Sequence, residues 1–364
     1  MQRAEVRCVS RTDVYDTQQV AVVQKDARFQ LWTESPLNGE PPLELLANEW
    51  ITPTGLFYVR CHGPVPELDD RTYRLVVDGL VERPLEFGLT ELRRQFPRAD
   101  VVATLQCAGN RRSELAEIAP IPGETPWREA AIGNARWGGV RLRDLLLAAG
   151  VRAGAAHVEL VGADETAEFG GPFGGSVPLH ADVLLAFEMN GAQLEPVHGF
   201  PLRAVVPGYI GARSVKWLER VNVLASPSAN AFHLRSYKVF PPEVRAEDAD
   251  WEGTEPLGEA PLNAAICFVT RDRISGWASA GGNRTVRRVE VGDGSSWRDA
   301  ELLGDAVPGA WRLWRAPLDL APGEHNLVVR AWDSAGATQP ESPAQVWNFK
   351  GYANNAWHRV RVSV

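Results

Sequence analysis

The sequence predicts an α+β protein built in two parts. A mixed α/β domain over residues 56–240 is followed by an immunoglobulin-like β-sandwich over 241–364, with an N-terminal arm over 1–55. Three observations lead there. Helix-period and strand-period segments alternate with glycine-rich loops up to about residue 225. A proline- and acid-rich connector, Ser226 to Pro261, then interrupts the pattern. Beyond it the helix signals vanish, and short strand-like runs follow one another at even spacing.

Taken in order, residues 1–55 carry turn formers and a proline-rich patch (Ser35-Pro36, Pro41-Pro42), which reads as an extended arm over the surface. In TYRLVVDG, Tyr73, Leu75 and Val77 alternate and Asp78-Gly79 closes the strand. Thr90 is the expected cap of a short helix, ELRRQF, ended by Pro97. A strand follows over 100–106. Residues 141–149, RLRDLLLAA, read as a helix with Gly150 just past its end. HVELVGAD is a strand, and Asn190-Gly191 between LLAFEM and AQLEP signals a tight hairpin. Strands at 202–206 and 214–224 complete the region. After the connector, AICFV, RRVEV, WRLWRAPL, HNLVVRAW and WHRVRVSV are strands separated by turns such as Gly292-Asp293-Gly294, a pattern of sandwich type.

Composition narrows the function. The 364 residues suit two domains, and 45% hydrophobic with 23% charged residues is ordinary for a globular protein. A net charge of −8 argues against nucleic acid, which needs a basic stripe. No apolar run reaches the roughly 18 residues of a membrane helix. The start, MQRAEVRCVSRTD, has no apolar core of a signal peptide, so a cytoplasmic location and no membrane are expected. Cys8, Cys61, Cys107 and Cys267 lie far apart without a C-x-x-C pair, which excludes zinc ribbons, thioredoxin-type centres and disulfide scaffolds.

Within this frame VVATLQCAGNRRSE stands out, because it sets Cys107 beside Arg111 and Arg112 at the end of an apolar strand. A lone cysteine is usually a buried structural thiol. Guanidinium groups nearby favour the thiolate, which is both nucleophile and soft metal ligand. A phosphatase loop is disfavoured, since Cys107 to Arg112 is one residue short of C-x5-R. A Cys-His hydrolase using His180 or His198 stays open. FYVRCHGPVP alternates Tyr58, Val59, Arg60, Cys61 and His62, a pattern that fits an edge strand as well as a site. HGFPLRAVVPGYIGARSVKWLERV places His198, Arg203, Arg213 and Lys216 among apolar strands with few acids near. Unpaired charges are rarely buried, so an anionic ligand is favoured. The glycine cluster FGGPFGGSVP lacks the order of a dinucleotide fingerprint and reads as a ligand-hugging loop.

Together FYVRCHGPVP, LQCAGNRRSE, ARWGGVRL, LLAFEMNG, HGFPLRAVVPGYIGARSVKWL and VWNFKGYANNAWHRVRV resemble the sulfite oxidase family of molybdenum enzymes, in order from about Pro36 to the C-terminus. The resemblance implies one molybdenum–pyranopterin (molybdopterin) cofactor per chain, with Cys107 as the metal's thiolate ligand; residues 1–55 are too short for a fused haem domain and lack its HPGG pattern, so no haem is expected. Cofactor contacts carry over to Tyr58, Val59, Arg60, Cys61, His62, Asp164, His198, Arg203, Ser214, Val215 and Lys216. It further implies an anion pocket lined by Arg60, Arg112 and Trp127, with one extra residue between Cys107 and Trp127. The C-terminal domain would serve dimerisation.

Three positions depart from the family pattern. Cys61 replaces the asparagine of FYVRNH. Phe173 stands where a tyrosine is usual, and Lys350 stands for the arginine of WNLRG; Tyr209 is another tyrosine near matched residues. The implied reaction is oxidation of sulfite to sulfate, with electrons passed to an external acceptor, dioxygen or a carrier protein. Two other readings keep the pterin: reduction of nitrate or a sulfoxide, or a non-catalytic pterin-binding protein.

Overall fold

The computed structural model describes residues 3–7 and 22–364, so Cys8 lies outside the described residues. Strand Arg3–Arg7 pairs with Val22–Asp26. Gln30–Glu34, Leu37–Glu40 and Val59–Arg60 form a three-stranded antiparallel sheet. Residues 30–40 therefore do not simply run over the surface as an arm. Leu37 packs with Val59, Cys61, Val197 and Trp217 in a small apolar cluster, and burial of that leucine draws the segment inward.

Two larger sheets carry the first domain. One has the strand order Pro172–Pro178, His157–Glu165, Leu218–Leu224, Leu75–Gly79, Leu85–Phe87, with its only parallel pair between Leu218–Leu224 and Leu75–Gly79. The other runs Ala192–Gln193, Leu184–Met189, Ile132–Arg141, Arg98–Gln106, and Arg203–Val205 also pairs with Leu184–Met189. Helices are few and short. Leu142–Ala149 buries Leu142, Leu145, Leu146 and Ala149, the apolar face of a 3.6-residue period. Gly150 follows at φ 71° and returns its N–H to Leu146 O at 3.0 Å.

Local chemistry settles the turns. Asn190 (φ 53°) and Gly191 (φ 81°) make the expected two-residue hairpin, with Met189 opposite Ala192. Thr90 does not cap its helix. The helix starts at Leu89, and the Gly88 N–H ahead of it donates to the Glu91 carboxylate at 2.8 Å, so the acid three residues on replaces a hydroxyl cap. The strand expected from 214 begins only at Leu218, because Gly211–Arg213 forms a 3-10 turn and Trp217 sits at φ 51°.

The connector is not an exposed linker. It contains helix Ala231–Arg235 and buries Phe232, Tyr237 and Phe240. After it come two four-stranded sheets. One orders Asn263–Val269, Arg273–Ser279, Arg312–Pro317, Glu301–Leu302, and the other Trp297–Asp299, Val286–Gly292, Glu324–Asp333, His358–Ser363. Ile266, Ala278 and Trp314 of one share a core with Val289, Val291 and Val329 of the other. Among the described residues no helix is long and apolar enough to cross a membrane.

Candidate active site

Strand Arg98–Gln106 delivers Cys107 to the wall of a cleft. The following turn is held by the chain itself. Asn110 donates its N–H to Cys107 O at 3.0 Å, and its side-chain oxygen accepts from Ala131 N at 2.9 Å. Gly109 lets the Arg112 guanidinium pack close, since a Cβ there would lie 2.5 Å from Arg112 Nη2. The neighbouring arginines do not suffice to ionise the thiol. Burial raises the Cys107 pKa, and the opposing pull of Arg112 and Arg60 does not cancel it, so a ligated cation would have to ionise it.

The same cleft is lined by Tyr58, Val59, Arg60, Cys61, His62, Asp164, Phe173, His198, Arg203, Ser214 and Lys216. Val215 is buried and does not line it; its carbonyl accepts from Ala204 N at 2.8 Å and so holds the loop. The charge balance of the lining is unusual. Arg60, Arg203 and Lys216 face one carboxylate, Asp164, which accepts from Phe173 N at 3.3 Å and is itself pushed up by burial.

None of the three cations is ion-paired to a carboxylate of the described residues. Arg203 is 4% exposed and donates to His198 O and Ser214 O, both at 2.9 Å. Lys216 reaches Cys61 Sγ at 3.0 Å and Val197 O at 2.9 Å, and Arg60 bonds Asn38 Oδ1 at 3.3 Å and Cys61 O. His62 and His198 stay neutral. Burial first, then neighbouring cations, pushes both well below the usual histidine range. Buried, uncompensated positive charge suits an anionic ligand. Arg213 is not among the lining residues; its Nε and Nη2 donate to Leu257 O at 2.9 and 2.6 Å, and its Nη1 has no partner among the described residues.

Arg112, Trp127 and Lys350 are not among these lining residues, although Arg112 lies close enough to Cys107 to oppose the rise of its pKa. Trp127 is fully buried and meets the Tyr58 ring edge-on at 6.4 Å, and its Nε1 has no partner among the described residues. Arg112 and Lys350 both pair with Glu124. Arg111 serves structure instead. Fully buried at φ 66°, it binds Glu114 at 2.7 Å through two nitrogens and reaches Asn263 Oδ1 and Ala356 O at 2.8 Å, which ties the cysteine loop to the C-terminal domain.

The sequence reading missed several contributors. Tyr237, from the supposed connector, lines the cleft; its hydroxyl shares a 2.6 Å hydrogen bond with His62 Nε2. Its ring stands edge-on to Phe173 at 6.2 Å, so the cleft does have a phenol despite Phe173. Tyr209 does not provide it, since that residue bridges to Glu259 away from the lining. No local pattern marks Tyr237 except an aromatic in an otherwise polar segment. Tyr237→Phe is expected to lower kcat/KM about two- to tenfold, since one neutral hydrogen bond is worth about 0.5–1.5 kcal/mol, with an unchanged melting temperature as the check on folding.

Lys25 was missed as well, as a charge in an apparent surface arm. It is buried, and its Nζ contacts Thr54 O, Phe57 O and His198 Nε2, each at 2.9 Å. Burial brings its pKa down to about 7 from 10.5. Between those values the unfolded chain binds more protons, so stability rises with pH over that window and is lost again on acidification towards 7. Cofactor-free protein is expected to gain melting temperature between pH 7 and about 10 in calorimetry, and Lys25→Met to flatten that rise.

Comparison with known proteins gives the same picture from outside. Residues 62–232 match the family described as "Oxidoreductase molybdopterin binding domain", and 263–364 match "Mo-co oxidoreductase dimerisation domain". The chain is 44% identical to the sulfite oxidase of Gallus gallus, over 90% of this chain and 76% of that one. It is 40% identical to the sulfite oxidase of Arabidopsis thaliana, over 90% of this chain and 92% of that one. Its fold is similar to the crystal structure of the sulfane dehydrogenase SoxCD from Paracoccus pantotrophus, with a TM-score of 0.80 at 30% identity, covering 92% of this chain and 88% of that one.

Proposed function

Because the chain belongs to the sulfite oxidase family of molybdopterin oxidoreductases, we propose that it oxidises sulfite to sulfate, one water being consumed and two protons and two electrons released. The observation that carries this reading is a buried thiol, Cys107, on a cleft with three lining cations and one carboxylate. That donor set fits a molybdenum–pyranopterin, since a soft metal takes the sulfur and an anionic tail takes the cations. The unpartnered Trp127 Nε1 behind Tyr58 adds a donor that the protein leaves unused.

When bound, the cofactor supplies oxygen-atom transfer and a two-electron store. The chain supplies the rest. Cys107 Sγ would hold the metal, and Arg203, Lys216 and Ser214 would hold the cofactor's anionic end. Arg60, which has no carboxylate partner, would orient the oxyanion beside Cys107, and fixed charge in a buried site does that without reorganisation. His62 is kept neutral and Tyr237 is bonded to it, so this pair is placed to accept or pass a proton near the reacting anion.

The electrons leave to an external acceptor, dioxygen or a carrier protein, and no haem is assigned to the chain. The C-terminal sandwich is read as immunoglobulin-like and as the seat of a homodimer, supported by the dimerisation family it matches. Free Cys61, Cys107 and Cys267 suit the cytoplasm. The test is elemental analysis of purified protein together with a sulfite assay using ferricyanide and dioxygen in turn. About one molybdenum per chain with sulfite-dependent turnover is expected. Molybdenum without sulfite turnover overturns the substrate and favours the nitrate or sulfoxide reading. Bound pterin with no turnover of any of them favours a binding protein.

A further inference from the structure

The loop between helix Arg112–Ala116 and strand Ile132–Arg141 carries a carboxylate, Glu124, between Arg112 and Lys350. One oxygen lies 3.3 Å from Arg112 Nη2, and the other pairs with Lys350 Nζ. The Arg112 Nε donates to Lys350 O at 3.0 Å and its Nη1 to Thr125 O at 2.7 Å. Two glycines leave room for this side chain, since a Cβ at Gly109 would lie 2.5 Å from its Nη2 and one at Gly351 would lie 2.6 Å from its Cγ. Of Arg60, Arg112 and Lys350, Arg60 is without a carboxylate partner among the described residues, while Glu124 pairs with the other two.

We propose that Glu124 is the specificity-determining residue of the anion site, a resident counter-anion that the substrate must displace from Arg112 and Lys350. It tilts the site from doubly towards singly charged oxyanions. The physical reason is simple. An incoming dianion meets a carboxylate already in possession of two cations, and pays in repulsion for each charge it brings. A monoanion pays about half as much. This deepens the functional reading above and rests on it for the identity of the substrate, but the charge selection is separable from turnover.

The experiment is a titration of the molybdenum-loaded protein and its Glu124→Gln variant with sulfate and with nitrate, by calorimetry, alongside KM and kcat for sulfite. Glu124→Gln is expected to bind sulfate about tenfold tighter and nitrate no more than about threefold tighter, and to lower the KM for sulfite in step with sulfate. A variant merely damaged in folding would bind both more weakly, so tighter binding is diagnostic. Sulfate affinity within twofold of the parent, or weaker, at equal molybdenum content overturns the proposal. If Glu124→Gln does not fold, Glu124→Asp decides. Its shorter carboxylate cannot span both cations and should fall between parent and Gln, whereas parental affinity in that variant rejects the idea. Failure of sulfite oxidation with the sulfate shift intact would overturn the substrate and leave Glu124's role standing.

Discussion

Cys107→Ser is expected to yield a folded protein that no longer turns over sulfite. The side chain is 8% exposed and packed with Leu105, Tyr58 and Trp127, and serine is only slightly smaller, so the melting temperature should drop by a few degrees at most. Turnover should fall by more than about a hundredfold, because even loss of an outer partner of a metal ligand typically costs about ten- to a hundredfold, and here the ligand itself goes. Pterin released on denaturation should stay near the parental amount, since the cation set that holds its anionic end is untouched. A variant that keeps full sulfite turnover would return Cys107 to the role of structural thiol. Cofactor lost together with fold would instead mark Cys107 as a packing residue.

Arg203→Met is expected to act in the opposite order, on cofactor retention before chemistry. Burial lowers the Arg203 pKa to about 10, and its planar group sits over Trp137 at 4.9 Å. Methionine fills much of that volume without the charge. A charge-assisted hydrogen bond is worth about 1.5–3 kcal/mol, so affinity for the pterin should fall about ten- to a hundredfold. Purified protein would then carry substoichiometric molybdenum, and each loaded chain would keep near-parental kcat. The rise in melting temperature on loading should shrink with it, because a ligand stabilises only what it binds. Equal molybdenum content in parent and variant would show that the guanidinium serves the backbone carbonyls of His198 and Ser214 and nothing else.

Short-range chemistry was written in the chain and could be read directly. The 3.6-residue period of 142–149 and the Asn190-Gly191 hairpin depend on neighbours within a few residues. The same holds for the cations near His198. Arg203 and Lys216 stood out as charges among apolar residues with no acid near, and the structure places both on the cleft without a carboxylate partner.

Where a partner lies far along the chain, local pattern is silent. Tyr237 gains its meaning from His62, 175 positions away, and Lys25 from His198, 173 away. Arg112 is held by the Lys350 carbonyl across 238 positions. A proline-rich segment looked like a connector because its polar residues obscured three buried aromatics, Phe232, Tyr237 and Phe240. Lys25 looked like surface because lysine usually is. The loop VVATLQCAGNRRSE shows the division most plainly. Its thiol and arginines announced a site, but only packing could separate them. Arg111 is drawn into the joint with the C-terminal domain, and Arg112 is given to Glu124. Both outcomes are set by which distant oxygens the fold brings within hydrogen-bond reach, Asn263 Oδ1 and Ala356 O for Arg111 and Lys350 O for Arg112, a quantity that neither periodicity nor composition contains.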